Sequence, residues 1–383
     1  MKIAQVAHLF PPATGGIEHH TYEISKELAS SGWNAGRNDA KNEVTVFTSS
    51  VLNSKKEEMI EGFKVRRFFS INLPVFSSVR FAPMLFPALL FGDFDIYCSH
   101  GYGSFMPFFT SIAAWIRRKP FVFTLHGYPK LAGFSGFFQS IYKIFCASVF
   151  LRIASRVIVV SKASINDIAQ EVDGRKIVYI PNGIEADEFG KNDGGKPFGS
   201  FETKNKITYV GRLDEYKGVD VLIRAFAKIK KEYPKLDLVI AGRDEGIKKD
   251  LEALSTQTGA NATFVDVPRS EIGRIYAESK AIVLPSKYEG FSLVWLEAIA
   301  SGRPMFSTPV GDAEHLFSQV YGGNEAKFIF GNEDELVQKL SYFLFNEKEF
   351  VPIVSKAQDI CRKEYSWRKV AEQTMEVYKE VVK

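Results

Sequence analysis

Residues 206–242 read KITYVGRLDEYKGVDVLIRAFAKIKKEYPKLDLVIAG, and this stretch decides the fold. A run rich in β-branched residues closes on Gly211-Arg212, an amphipathic stretch fills 220–234, and a second apolar run ends in Gly242. Strand, helix, strand in this rhythm predicts two parallel strands joined by a helix that covers one face of the sheet.

Read onward from Gly242, the rhythm continues. A helix is expected at about 247–257, strands at 262–267 and 281–286, and helices at 271–279 and 293–302. Strands at 304–310 and 327–330 and a helix near 333–346 follow. Read backward, the polar, Gly-rich stretch 188–206 has few large apolar anchors and reads as a linker. Before it, strands are expected at 3–9, 44–49, 64–69, 95–100, 121–127, 156–161 and 176–182, with amphipathic stretches at 17–32 and 161–172. Polar residues at 33–42 suggest a surface loop. The expected fold class is therefore α/β, with two Rossmann-like parallel-sheet domains: residues 1–190 and residues 191–365. Ligands of open parallel sheets sit at the carboxyl ends of the strands, and two such domains facing each other would hold two substrates in a cleft.

The bulk numbers agree. A chain of 383 residues is long for one core and comfortable for two, and 45% hydrophobic with 25% charged residues is ordinary for a folded protein. Three cysteines far apart (Cys98, Cys146, Cys361) suggest neither a disulfide framework nor a thiolate metal site. The start, MKIAQVAHLF, lacks the apolar stretch of a signal peptide, and 81–91 and 141–154 are too short or too interrupted to span a bilayer. A cytoplasmic protein is expected. Lys and Arg outnumber Asp and Glu by 20 to 16 over residues 1–190 and match them at 29 to 29 thereafter, so the surplus of 4 lies in the first half. No zinc-finger spacing or basic stripe points to nucleic acid.

Several strand ends carry chemistry. After the first strand, Gly15-Gly16 lets the backbone approach a ligand, and the next helix turns its free N–H groups toward an anion; as a bare turn the pair is also common structure. It is not GxGxxG, so a nicotinamide fingerprint is absent. Past the strand ending at Gly211, Arg212 and Lys217 supply a bidentate cation and a point charge. Such a pair suits a diphosphate leaving group whose charge grows as its bond to a sugar breaks. In KYEGFSLVWLEAIASGRP (287–304), Glu289 precedes Gly290 in a strand-end loop, and Gly290 permits backbone N–H groups near Phe291 and Ser292 to face a phosphate or sugar. Glu297 lies in an apolar helical stretch, where a carboxylate needs a partner: ribose hydroxyls, a backbone group or an arginine. His100 and His126 each end a strand and precede a glycine. No HExxH and no tight Cys/His cluster along the chain suggests a metal.

Together GGIE, LHG, VSKAS, IPNGIE, VGRLDEYKG, IAGRDEG and EGFSLVWLEAIASGRP, in that order over nearly the whole chain, closely resemble the retaining glycosyltransferases of family 4, also called glycosyl transferases group 1. The resemblance implies the GT-B fold, with an acceptor-binding domain over 1–190, a nucleotide-sugar domain over 191–365, and a last helix at about 366–383 packing back onto the first domain. It implies that Glu289 touches donor-sugar hydroxyls, Glu297 holds the ribose, and Arg212 and Lys217 grip the diphosphate with help from Gly15 and Gly16. Gly211, Asp266, Val267, Gly290, Phe291, Ser292 and Leu293 would complete the donor site. Glu18 and His100 would face the acceptor side, and His126 the reacting centre, so that His126, Arg212, Lys217 and Glu289 form the catalytic set. Three positions depart from the commoner pattern: Asp266 and Ser292 stand where glycine is frequent, and Val310 precedes Gly311 in place of a second glycine.

The expected reaction is metal-independent, retaining transfer of a hexose from a GDP-mannose or UDP-glucose type donor to a glycan or lipid-linked acceptor. No cofactor is expected beyond the nucleotide sugar. The aromatic stretches 68–91 and 134–153, flanked by Arg66, Arg67, Lys143 and Arg152, either pack on the sheet or rest on an anionic membrane as a weak peripheral contact. The alternatives are a non-catalytic subunit that binds sugar nucleotide or glycan, and an epimerase of the same architecture; retention of Arg212, Lys217, Glu289 and Glu297 argues against the first, and the EGFSLVWLE segment against the second.

Overall fold

Runs of Val, Ile and Phe too apolar for alternation form strands buried on both faces, and the amphipathic stretches between them lie on those faces. The computed structural model describes residues 1–13, 15–30, 41–52, 54–72, 80–102, 104–127, 142–190, 205–321 and 325–382. Most of the expected loop at 33–42, most of the linker at 188–206 and the aromatics at 134–141 lie outside these residues.

Two compact units are present: Met1–Gly183 with Trp367–Lys383, and Ile184–Ser366. The first contains β1 (Lys2–Ala7), α1 (Gly16–Ala29), β2 (Glu43–Ser49), β3 (Glu57–Ile60), β4 (Phe63–Phe68), the short β5 (Ile71–Asn72) and β6 (Arg80–Phe81), α2 (Leu85–Leu90) and β7 (Ile96–His100). After these come α3 (Met106–Ile116), β8 (Phe121–Leu125), a π-helical turn Lys143–Ala147 running into α4 (Ser148–Ile153), β9 (Arg156–Val159), α5 (Ala163–Ile168) and β10 (Ile177–Tyr179). Its main sheet runs β10-β9-β8-β7-β1-β2-β4-β3. Every pairing in it is parallel except β3 on β4, an antiparallel hairpin at the edge. Ile3, Val6, Phe47, Tyr97, Phe123 and Val159 are fully buried in its core.

The second unit holds α6 (Ala186–Gly190), β11 (Lys206–Val210), α7 (Val219–Glu232), β12 (Asp237–Ala241), α8 (Lys248–Thr258), β13 (Thr263–Val265), α9 (Arg269–Ala277) and β14 (Ala281–Leu284). It continues through α10 (Leu293–Ala300), β15 (Met305–Ser307), α11 (Ala313–Leu316), α12 (Glu333–Phe345) and α13 (Glu347–Glu364). Its sheet is parallel throughout, in the order β13-β12-β11-β14-β15. The order reverses beside β11, so the loops after β11 and β14 open at the switch point where such sheets bind ligands. The strand expected at 327–330 is reduced to a single bridge, Ser307 with Lys327.

The last helix, α14 (Trp367–Val381), belongs to the first unit. It buries Trp367, Val370, Ala371, Met375 and Tyr378 on one face, and Tyr378 Oη accepts a hydrogen bond from Gln5 Nε2 at 3.1 Å.

Candidate functional site

In the second unit, three glycines let the strand-end loops interlock. A Cβ on Gly242 would lie 1.6 Å from the carbonyl oxygen of Gly211, so the ends of β11 and β12 touch backbone to backbone. Gly218 precedes α7 at φ +62°, and a Cβ there would meet the Pro285 carbonyl oxygen at 2.2 Å. Gly311, at φ +61°, would collide with the Gly290 carbonyl oxygen at 2.1 Å. These contacts hold the loops after β11, β12, β14 and β15 against one another with no side chain between them. Gly242→Ala is expected to destabilise this unit by about 3 kcal/mol or more, since neither backbone can yield. Its melting temperature should fall by roughly 6–12 °C, read by scanning calorimetry; an unchanged melting profile would contradict the close approach.

On that frame, Lys217 Nζ lies 2.6 Å from Glu289 Oε1, with both side chains largely buried. Ser286 Oγ donates to the same carboxylate oxygen at 2.8 Å, and Thr308 Oγ1 donates to the Ser286 carbonyl at 2.6 Å. Ser286, Glu289, Ser292 and Trp295 line a small pocket with Ser307 and Thr308. Asp312 N–H donates to the Gly290 carbonyl at 3.1 Å and fixes that loop. Arg212 is placed otherwise: its side chain is 65% exposed, and among the described residues its ion pair is with Asp214, at 3.3 Å. It is therefore able to swing onto an incoming anion. Ser292 and Leu293 begin α10, where backbone N–H groups are unpaired within the helix and favour negative charge.

Glu297 faces the interior of the unit. It is 2% exposed, with Oε1 2.8 Å from the Arg269 guanidinium and Oε2 accepting from Tyr276 Oη at 2.8 Å. Arg269 in turn lies over the Phe189 ring at 5.9 Å. Arginine is one of the partners open to Glu297 in the sequence, and the fold supplies it in Arg269. Asp266 and Val267 follow β13, Asp266 exposed and Val267 half-buried. Phe291 is buried, its ring 6.3 Å from that of Tyr365.

In the first unit, Gly15 and Gly16 open α1 directly after β1. Glu18 is buried one turn on, 3.7 Å from His8. His100 ends β7 and His126 follows β8, adjacent strands of one sheet, and their rings meet at Nδ1 to Nε2, 3.3 Å apart. His20 of α1 packs its ring 4.5 Å from that of His126 and 5.4 Å from that of His100. Burial drives all three imidazoles toward the neutral form. His20 is pushed down to about 4 by desolvation, against the opposing hydrogen bond it donates to Asn182, and His100 and His126 fall well below the ordinary imidazole range. His20, Asn182, Gln5 and Tyr378 were not singled out as site residues in the sequence. The doublet His19-His20 on the first helix, after the Gly15-Gly16 turn, is the available signal.

Residues 14–188 match the Glycosyltransferase Family 4 description and residues 193–359 match Glycosyl transferases group 1. An uncharacterized glycosyltransferase of Methanocaldococcus jannaschii is 28% identical, over 99% of this chain and 98% of its own. Among solved structures, sucrose-phosphate synthase from Thermosynechococcus elongatus superposes with a TM-score of 0.74 at 18% identity, covering 99% of this chain and 98% of that one. Anabaena HepE, solved with UDP and glucose, gives a TM-score of 0.74 at 20% identity, with 99% of each chain covered. With two Rossmann-like α/β domains and these matches over both halves, the chain is a GT-B-fold protein related to the glycosyltransferases of group 1 and family 4.

Proposed function

We propose that this protein transfers a hexose from a nucleoside diphosphate sugar to a glycan or lipid-linked acceptor, with retention of configuration and without a catalytic metal. The observation that carries this reading is the Lys217–Glu289–Ser286 cluster at the switch point of the second sheet, with Arg212 in the same β11–α7 connection as Lys217. A lysine and a mobile arginine answer the charge that develops on a departing diphosphate, the task a divalent ion performs elsewhere. Glu289 faces sugar hydroxyls, α10 and its preceding loop receive phosphate, and Glu297 holds the ribose. Gly15 and Gly16 assist at the diphosphate. Glu18 and His100 face the acceptor, and neutral His126 hydrogen-bonds the sugar at the reacting centre. No carboxylate is assigned as nucleophile; the departing phosphate takes the acceptor proton. The donor is of the GDP-mannose or UDP-glucose type, the latter supported by the UDP and glucose bound to Anabaena HepE.

Thermal unfolding across a panel of nucleotide sugars tests the donor, because a ligand bound only by the folded state raises its apparent stability. One donor is expected to raise the melting temperature and to be slowly hydrolysed, with the rate undiminished in excess chelator. Tight binding without turnover on any acceptor would make the protein a sugar-nucleotide-binding subunit. Loss of turnover in chelator, restored by Mg2+ or Mn2+, would overturn the metal-free reading.

The acceptor side of this reading includes a weak, peripheral contact with an anionic cytoplasmic membrane face. Phe69, Ile71, Met84, Ile144 and Phe145 are each at least half exposed. Their elements meet near the start of α3, where Phe105 touches Phe81 and Tyr142, each at 6.1 Å. Partial flotation with anionic liposomes at moderate salt is expected, falling as salt rises. Complete retention in the soluble fraction at every salt concentration would remove the membrane from the proposal.

A further inference from the structure

The three imidazoles of the first unit are arranged as metal ligands, although they come from three separate elements. One ring nitrogen of each of His20, His100 and His126 lies within 4.8 Å of the other two. Among the described residues this is the one group of three or more His, Cys, Asp or Glu side chains close enough to share an ion.

The hydrogen bonds around the cluster fix which nitrogens carry lone pairs. Asn182 Oδ1 is an acceptor only and lies 2.8 Å from His20 Nδ1, so that nitrogen holds the proton and Nε2 holds the lone pair. Gln5 Nε2 donates to Tyr378 Oη, which turns Oε1 toward His100 Nε2 at 2.7 Å. His100 is then protonated at Nε2 and bears its lone pair on Nδ1, the atom facing His126. Amide and backbone oxygens behind ligating histidines perform this orienting service at metal centres. The 3.3 Å between His100 Nδ1 and His126 Nε2 also equals the edge of a tetrahedron with metal–nitrogen bonds of about 2.0–2.1 Å. His126 is only half-buried, so its Nδ1–H tautomer, the one that frees Nε2, has access to solvent.

We propose that His20, His100 and His126 form a three-imidazole site for a borderline divalent ion of the Zn2+ and Co2+ class, with a fourth position open to water. All-nitrogen ligation selects against Mg2+, Ca2+ and Mn2+, which prefer oxygen. Binding of the ion stands on this geometry alone. Its consequence rests on the function proposed above: an occupied site withdraws His126 from the sugar, so Zn2+ inhibits transfer while chelator leaves it intact.

Untagged full-length protein, stripped with chelator and titrated with Co2+, is expected to take up one ion per chain with the intense visible bands of tetrahedral cobalt. X-ray absorption on the wild-type cobalt form should count three imidazole nitrogens. Asn182→Ala should weaken binding about 10–100-fold, His20→Gln and His126→Gln should abolish stoichiometric uptake, and His315→Ala in the other unit should leave it unchanged. Fewer than three imidazoles on the wild-type ion, or no tetrahedral signal, would overturn the site without reference to any variant's folding. Three-imidazole binding with no effect of Zn2+ on transfer would keep the site and remove its link to His126.

Discussion

Replacing Arg212 and Lys217 together with alanine should reduce sugar transfer by at least about 10³-fold. Removing a single preorganised donor from a site of developing negative charge costs about 10²–10³ in rate, and here two cations answer the same charge. The two act as a unit, so their losses will not simply multiply. The single variants separate function from folding. The Arg212 side chain is 65% exposed, and its ion pair among the described residues, with Asp214, spans 3.3 Å, so Arg212→Ala should leave stability within about 0.5 kcal/mol of the wild type. A rate loss of about 10²-fold or more in that variant would then report on chemistry alone. Lys217→Ala strands the Glu289 carboxylate, 12% exposed, with Ser286 as its remaining hydrogen-bond donor in the cluster, so stability and activity should fall together. Steady-state transfer and donor-hydrolysis rates, with unfolding curves for each variant, provide the measurements. Unchanged nucleotide affinity and transfer rate in the double variant would sink the idea that these cations absorb the leaving charge.

The parallel strands of the two sheets were legible because both faces of most of them are buried, leaving short apolar runs punctuated by Gly, Pro and amphipathic stretches. What escaped was what lacks that signature. Helix α3, MPFFTSIAAWI, is apolar around much of its circumference and shows little 3.6-residue contrast. Helix α13 begins one residue after α12 ends and carries Pro352 in its first two turns, so the sequence offers no clear gap and an apparent breaker. Strand β3 hides in the charged stretch EEMIEG, where it is half exposed, while its hairpin partner β4 matches the strand expected at 64–69. Single-bridge pairing at Lys327 shows the reverse error: KFIF has strand chemistry without a strand's partners.

The candidate site divides along the same physical line. Contacts written locally, such as a glycine after a strand or a cation in the next loop, could be read from spacing. Lys217 with Glu289 is separated by 72 residues and becomes visible only when β11 and β14 pair. The imidazole cluster draws on α1, β7 and the end of β8, with orientation supplied by Asn182 and by Gln5 held through Tyr378 of α14. No local pattern encodes a convergence of that kind, because each participant alone is an ordinary buried polar residue.

Glu297→Ala should lower both stability and nucleotide affinity, and the two losses have different causes. Truncation removes the acceptor of Tyr276 Oη and the counterion of Arg269, each 2.8 Å away, and leaves a void beneath them. Breaking a buried ion pair costs about 3–5 kcal/mol when the stranded charge is fully enclosed. Arg269 retains 36% exposure and can be partly hydrated, so the expected loss is about 2–3 kcal/mol. A ribose hydroxyl hydrogen-bonded to the same carboxylate would contribute about 1.5–3 kcal/mol to nucleotide binding, or roughly 10–150-fold in affinity. Glu297→Gln divides the effects further: it preserves shape and an acceptor for Tyr276 while discarding the charge that holds Arg269. Unfolding curves and nucleotide titration, run well below the variants' melting temperatures, measure the two independently. Lower stability with wild-type nucleotide affinity in both variants would confine Glu297 to the interior of its domain and assign the ribose to another residue.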